Sequence, residues 1–342
     1  MVQNTLSTGQ SHSEDVEHVV RTQNLTKIFN QQNIAVNNLT MDVPDGSIYG
    51  FLGPNGSGKT TTIKLLLGLI RPSAGLVEVF GEPMGMDSAD LRARIGYLPT
   101  NPQFPDKMTP ITYLDFIGRT FGIGKEERVP RITELIRAVD LLSLSSQEIR
   151  KFSTGETTRV GIAACLINNP DLLIMDEPTS GLDPIGRAST VKLITELGKQ
   201  KDKTVFVSSH ILADIDRVCS HIGIINEGKL VFAGKITDIK KLIHRNTFEL
   251  SVEGESGPFI EKVRQISNII DVESHDHAIQ VTIDDPGDYA KALGQVFHIL
   301  HDEEGLDLIS FSSGSQSLEE AFLNLLEEEK TYGFLRAINR DA

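Results

Sequence analysis

Hydrophobic and polar positions along the chain change their period several times, and each change marks an element. Val19 to Phe29 alternates loosely, as a strand does. Ile34–Val36 and Leu39–Val43 continue that pattern up to a turn signal at Pro44-Asp45-Gly46. Ser47–Leu52 is a short, mostly apolar run that reads as a buried strand. After a glycine-rich stretch, Ile63, Leu66, Leu67 and Ile70 fall at helical spacing, which predicts a helix over 60–70. Gly75–Gly81 reads as a strand closing on a glycine turn, and Leu91–Leu98 leads into Pro99-Thr100-Asn101-Pro102. From there to about 149 the pattern is helical, with breaks expected at Pro105, Pro110, Gly122–Gly124 and Pro130. Leu172–Met175 is continuously apolar and ends in Asp176 and Glu177, a buried parallel strand with two acids at its C-terminal edge. Asp183 and Pro184 are expected to cap and open a helix. Residues 203–208 read as another strand, and His210 is expected to open the helix after it.

Beyond about Arg245 the texture changes. Strands at Thr247–Val252, Ile269–Glu273, Ala278–Ile283 and Leu306–Phe311 alternate with helices at Pro258–Ile266 and Pro286–Leu300. That order, β-α-β-β-α-β, predicts a small ferredoxin-like α+β domain. A last helix over Ser317–Glu329 would bury Leu318, Ala321, Phe322, Leu325 and Leu326 on one face. The expected organisation is a disordered tail (1–15), a nucleotide domain (16–242) with a helical lobe at about 101–155, an accessory α+β domain (245–330) and a tail (331–342).

Composition narrows the classes. Hydrophobic residues make up 39% of the chain, yet no apolar run approaches the roughly 20 residues a membrane helix needs. The polar N-terminus has neither the basic start nor the apolar core of a signal peptide. Cys165 and Cys219 are the two cysteines, so no disulfide framework is implied and a reducing cytoplasm fits. A net charge of −14 argues against generic nucleic-acid binding.

The chemistry is concentrated in Gly53-Pro54-Asn55-Gly56-Ser57-Gly58-Lys59-Thr60, followed by Thr61, which fits the phosphate-loop pattern G-x-x-x-x-G-K-[ST]. Strand, glycine-rich turn and helix is the context in which backbone N–H groups and the helix dipole cradle a polyphosphate. Lys59 would then reach the β- and γ-phosphates, and the Thr60 hydroxyl would ligate Mg²⁺. Asp176 would hold Mg²⁺ through water, and Glu177 would orient the attacking water. His210, after the edge of a strand in the same sheet, reads as a γ-phosphate sensor. Two readings of Phe29 stand, a packing residue or a ring on which adenine stacks. His275, His277, His298 and His301 lie on a turn and a solvated helix end, where imidazoles are more often unliganded than metal-bound.

Over roughly Val19–Leu242 these motifs resemble, in order, the nucleotide-binding domain of ABC transporters, an α/β P-loop NTPase with an inserted helical subdomain. Gly53–Thr60 resembles Walker A, Leu172–Glu177 Walker B, Ser180–Asp183 the D-loop, and His210 the switch histidine. Phe29 falls where the family's adenine-stacking aromatic lies. Two places depart from the family pattern. The signature, usually Leu-Ser-Gly-Gly-Gln, is Phe152-Ser153-Thr154-Gly155-Glu156 here, followed by the expected Arg159. The same residues satisfy Ser-x-x-Glu, so Glu156 can serve as a helix cap rather than face a nucleotide. The Q-loop position holds Thr100 where the family has Gln, with Gln103 nearby. The resemblance implies ATP and Mg²⁺, a homodimer or heterodimer of ATPase subunits, and a separate integral membrane permease on whose inner, cytoplasmic face the chain sits. In such a dimer Ser153, Thr154, Gly155 and Glu156 of one subunit face the nucleotide of the other. The C-terminal part resembles ATPase subunits of drug- and polysaccharide-export systems, which implies export. Two other classes stay open, a soluble ABC ATPase acting on ribosomes or DNA and a nucleotide-gated regulatory subunit of low turnover.

Overall fold

A computed structural model of the chain describes residues 18–30, 32–199, 203–243, 247–275, 278–284, 288–303 and 305–313. The chain divides between Ala233 and Gly234 into two compact units.

In the first unit, β1 (His18–Phe29) and β2 (Asn33–Pro44) form an antiparallel pair. The two apolar runs at 34–36 and 39–43 are one strand, joined through Asn38, whose φ of 53° suits the short amide side chain. β3 (Ile48–Leu52) leads through the glycine-rich loop into α1 (Lys59–Leu66). The helix stops four residues short of Ile70, because Gly68 turns left-handed at φ 64° and its N–H donates back to the Leu65 carbonyl. Apolar spacing had run on past a backbone stop. β4 (Ala74–Val79) and β5 (Glu82–Pro83) complete a sheet ordered β2-β1-β4-β5.

Next come α2 (Ala89–Ala93), β6 (Ile95–Leu98), α3 (Pro110–Thr120), α4 (Lys125–Ala138) and α5 (Thr154–Leu166). β7 (Leu172–Asp176), α6 (Pro184–Gly198), β8 (Thr204–Ser209), α7 (Leu212–Val218), β9 (His221–Asn226) and β10 (Lys229–Lys235) follow. A second sheet runs β10-β9-β3-β8-β7-β6, and its inner strands are parallel. All five residues of β7 and all six of β8 are buried, as central strands of a parallel sheet are. Phe206 stacks on Tyr49 across β8 and β3 at 5.6 Å between ring centres.

The helical lobe over α3 and α4 follows the expected breaks except one. Pro110 opens α3 behind a Thr109–Thr112 capping box, and Gly122 at φ 74° separates the helices. Pro130 lies inside α4 without ending it. The helix forgoes one backbone bond there and is anchored on both sides of the proline. Arg128 Nε donates to Asp115 (2.7 Å), and Arg131 donates to the Ile167 carbonyl (3.0 Å).

The second unit opens with α8 (Ile236–Ile243) and continues as β11 (Thr247–Glu253), α9 (Gly257–Arg264), β12 (Ile269–His275), β13 (Ala278–Ile283), α10 (Tyr289–Asp302) and β14 (Asp307–Ser313). The sheet order is β12-β13-β11-β14 with every pairing antiparallel, so the β-α-β-β-α-β order folds in the ferredoxin-like manner. Phe248, Leu250 and Val252 alternate into a core with Phe259 and Val263 of α9 and Val296 of α10. The expected helix over 317–329, His277 and both tails lie outside the described residues.

Arg128 and Arg119 hold the Asp115 carboxyl below its ordinary range, the Arg128 hydrogen bond contributing most. A depressed pKa stabilises the fold above the carboxyl's ordinary titration range, and that contribution is lost as pH falls through the depressed value. Urea unfolding of wild type and Asp115→Asn should therefore show a stability gap at about pH 7 that closes toward about pH 3.

Candidate nucleotide site

Three adjacent parallel strands bring their C-terminal ends to one level. Leu52 of β3 pairs with Ser209 of β8, and Ser208 pairs with Asp176 of β7. The edge so formed carries the loop after β3, both acids after β7 and the connection after β8.

The loop is shaped by close backbone approach. A side chain at Gly53 would strike the Ile225 carbonyl, and one at Gly58, where φ is 109°, would strike that of Ala35. The turn between β9 and β10 clamps this arrangement. Gly228 N–H donates to the Ser57 carbonyl (2.9 Å), and Asn37 N–H donates to the Gly228 carbonyl (2.8 Å).

Lys59 is the first residue of α1 and 6% exposed. Its ammonium donates to the Gly53 (2.7 Å) and Pro54 (3.1 Å) carbonyls and lies 3.0 Å from Glu177 Oε1. Thr60 Oγ1 donates to Asp176 Oδ2 (2.8 Å), and Ser208 Oγ donates to Asp176 Oδ1 (2.6 Å). Glu177 has a φ of 53°, a region that a glutamate seldom adopts, and its N–H is taken by Ser208 Oγ (3.0 Å). Its second oxygen, Oε2, is 2.7 Å from His210 Nδ1. One carboxylate thus touches both the loop lysine and the histidine. Burial, and then the nearby charge of Asp176, push the Tyr97 phenol up to about 12.

Two expectations need correction. His210 does not open a helix; α7 begins at Leu212, because Ser209 Oγ takes the Ile211 N–H (2.9 Å) and turns the chain first. Asp183 occupies the position before α6, with Pro184 next as expected, but its carboxylate makes no capping bond.

A cleft of about 530 Å³ opens over these groups, a size suited to a small-molecule ligand. Of the residues expected in the site, Phe29, Asn55, Gly56, Gly58, Lys59, Thr60, Thr61, Thr100, Glu177 and His210 line it. Phe29 is 38% exposed, with the Lys27 ammonium 5.0 Å from its ring centre, so it is no core residue. Gly53, Pro54 and Ser57 form the loop without lining the cleft, and Asp176 reaches it through Thr60. Gln103 is exposed and does not line it. Ser180, the first residue of the D-loop segment, also lines it, and the sequence reading missed Asn33, Ile34, Ala35, Glu227 and Gly228. The Glu227-Gly228 pair carries a hairpin-turn signal, but nothing local says that this turn reaches the loop.

Ser153, Thr154, Gly155 and Glu156 stand at the start of α5, outside this cleft. Glu156 Oε2 accepts the Ser153 N–H (2.8 Å), and Ser153 Oγ accepts the Glu156 N–H (3.3 Å). Glu156 caps its own helix.

The bacitracin transport ATP-binding protein BcrA of Bacillus licheniformis is 37% identical over 309 residues, covering 90% of this chain and 97% of the relative. The chain belongs to the ABC transporter ATP-binding proteins. The ABC transporter family model matches residues 36–180. The Nod factor export ATP-binding protein I of Cupriavidus metallidurans is 35% identical, over 64% of this chain and 71% of its own. Among solved structures, a dimeric ATP-binding cassette with ADP and Pi aligns at a TM-score of 0.58 and 24% identity, over 64% of this chain and 98% of that one, a likeness of fold. As an ABC ATP-binding protein the chain binds ATP and is an ATPase whose activity is coupled to transport.

Gly58→Ala would place a methyl group against the Ala35 carbonyl at a left-handed φ, whereas Gly56, at φ 82°, has open space around it. Titration with a fluorescent ATP analogue should show binding weakened about tenfold or more in Gly58→Ala, and less in Gly56→Ala.

Proposed function

We propose that this chain is the ATP-hydrolysing subunit of a two-component ABC exporter, working on a separate membrane permease. The observation that carries the reading is the convergence of Lys59, Thr60, Asp176, Glu177 and His210 at one sheet edge beneath a cleft. Backbone N–H groups of the 53–60 loop and the Lys59 ammonium bind the phosphates, and Phe29 receives the adenine ring. Thr60 Oγ1 and Asp176 Oδ2, 2.8 Å apart, form the hard oxygen pair that suits Mg²⁺, with Asp176 acting through water. Bound there, the ion neutralises phosphate charge. Glu177 orients the attacking water, and His210 contacts the γ-phosphate and holds Glu177. Thr100 stands at the cleft in the place of the family's Gln, a hydroxyl of shorter reach.

Two ATPase subunits, identical or similar, pair head to tail. Ser153 and Thr154 are exposed at the start of α5, whose positive dipole end fits a phosphate supplied by a partner. Asp183 lies on the partner-facing D-loop. The helical lobe exposes Ile111, Phe116, Val129 and Leu142, apolar surface suited to a permease on the inner, cytoplasmic face of the membrane. Among the described residues no helix is long and apolar enough to cross a membrane itself. Export is supported by the likeness to the Nod factor export ATP-binding protein.

Glu177→Gln should keep ATP affinity while turnover falls about 100-fold or more, with a dimer accumulating in ATP by size exclusion. Unimpaired hydrolysis in that variant would remove Glu177 from the water-orienting role. Affinity purification of the tagged chain from detergent-solubilised membranes should recover a multi-span protein in near-equal amount. Recovery with ribosomes or DNA instead would move the reading to a soluble ATPase.

A further inference from the structure

Glu177 and His210 begin two segments that are joined a second time, farther from the cleft. Thr179, shortly after Glu177, donates from Oγ1 to Asp214 Oδ2 (2.7 Å), and Asp214 lies in the first turn of the helix that follows His210. Arg187 of α6 donates Nε to both oxygens of the same carboxylate, at 2.9 and 3.1 Å. Thr179 is 4% exposed and Asp214 8%. A carboxylate persists at such burial when its charge and lone pairs are met, and here a hydroxyl and a guanidinium meet them.

We propose that Asp214 is a positioning residue for ATP hydrolysis, locking the segment after Glu177 to the segment after His210. The inference rests on the roles given to those two residues under the proposed function. Segments 177–179 and 210–214 form a ladder with two rungs. One rung is the Glu177–His210 contact at 2.7 Å, and the other is the Thr179–Asp214 hydrogen bond at 2.7 Å. With one rung the segments pivot about a single contact; with two, the angle of the imidazole to the carboxylate is set. His210 needs this support because it stands on a connection rather than inside a helix, and its side chain is 36% exposed. Glu177 needs it because its backbone is held at a positive φ. Arg187 extends the lock to α6, so the stretch from Glu177 through Ser180 and Asp183 is pinned at both ends. Asp214 touches neither nucleotide nor water in this scheme. It acts through the angle at which Glu177 is presented, and small misplacements of catalytic groups are costly in rate.

The test is steady-state ATPase kinetics and ATP affinity of the purified full-length chain in four variants. Thr179→Val should lower kcat about tenfold while KM and the ATP dissociation constant stay within about twofold. Thr179→Ser, which keeps the hydroxyl, should restore turnover. Asp214→Ala, which removes both the acceptor for Thr179 and the charge facing Arg187, should lower kcat further, by about 100-fold. Glu177→Gln serves as the reference for the underlying reading. Wild-type turnover in Thr179→Val beside an inactive Glu177→Gln would overturn the ladder and leave Glu177 in its role. An active Glu177→Gln would overturn the reading beneath it. A loss of turnover in Thr179→Val that Thr179→Ser fails to restore, or that is matched by an equal loss of ATP affinity, would also overturn the ladder, because packing alone would then account for it.

Discussion

The parallel register of β3, β8 and β7 is the constraint on which the site depends. Leu52, Ser209, Ser208 and Asp176 end their strands at one level, so Gly53, Glu177 and His210 leave the sheet side by side. Side chains alternate along a strand, and a one-residue slip of β7 would turn Asp176 away from Thr60 and Ser208. The buried rings of Tyr49 and Phe51 pack on Phe206 and fix β3 against β8, and Leu172 and Ile174 of β7 pack into the same core cluster. Packing deep in the sheet therefore positions chemistry at its rim.

Charge compensation then ties the rim together. Lys59, Asp176 and Glu177 are each less than 10% exposed, and no buried charge is tolerated without partners. Lys59 finds two carbonyls and Glu177, Asp176 finds two hydroxyls, and Glu177 finds Lys59 and His210. These partners belong to different strands and connections, so movement of one acid disturbs several elements at once. The same carboxylate that faces the loop lysine also faces the histidine.

Backbone stops and tertiary anchors account for most differences between pattern and structure. The apolar spacing at Leu66, Leu67 and Ile70 was legible, but the left-handed turn at Gly68 ends the helix earlier. Pro130 carries a breaker signal, yet the anchors of Arg128 and Arg131 carry α4 through it. Ser209 takes a backbone N–H and delays the helix after His210 by two positions. In each case a local preference was real and a neighbouring group overrode it.

By itself the sequence determined what depends on short spacings: the phosphate loop at 53–60, the Ser153–Glu156 capping box, the buried strand ending in two acids, and the β-α-β-β-α-β order of the second unit. These are local because backbone geometry and side-chain period operate over a few residues. Tertiary structure alone decided that Glu177 faces Lys59 and His210 together, that Asn33–Ala35 and Glu227-Gly228 wall the cleft, and that Asp214 ties Thr179 to Arg187. Those contacts join residues far apart in the chain. Their partners are chosen by sheet order and register, which no single segment encodes.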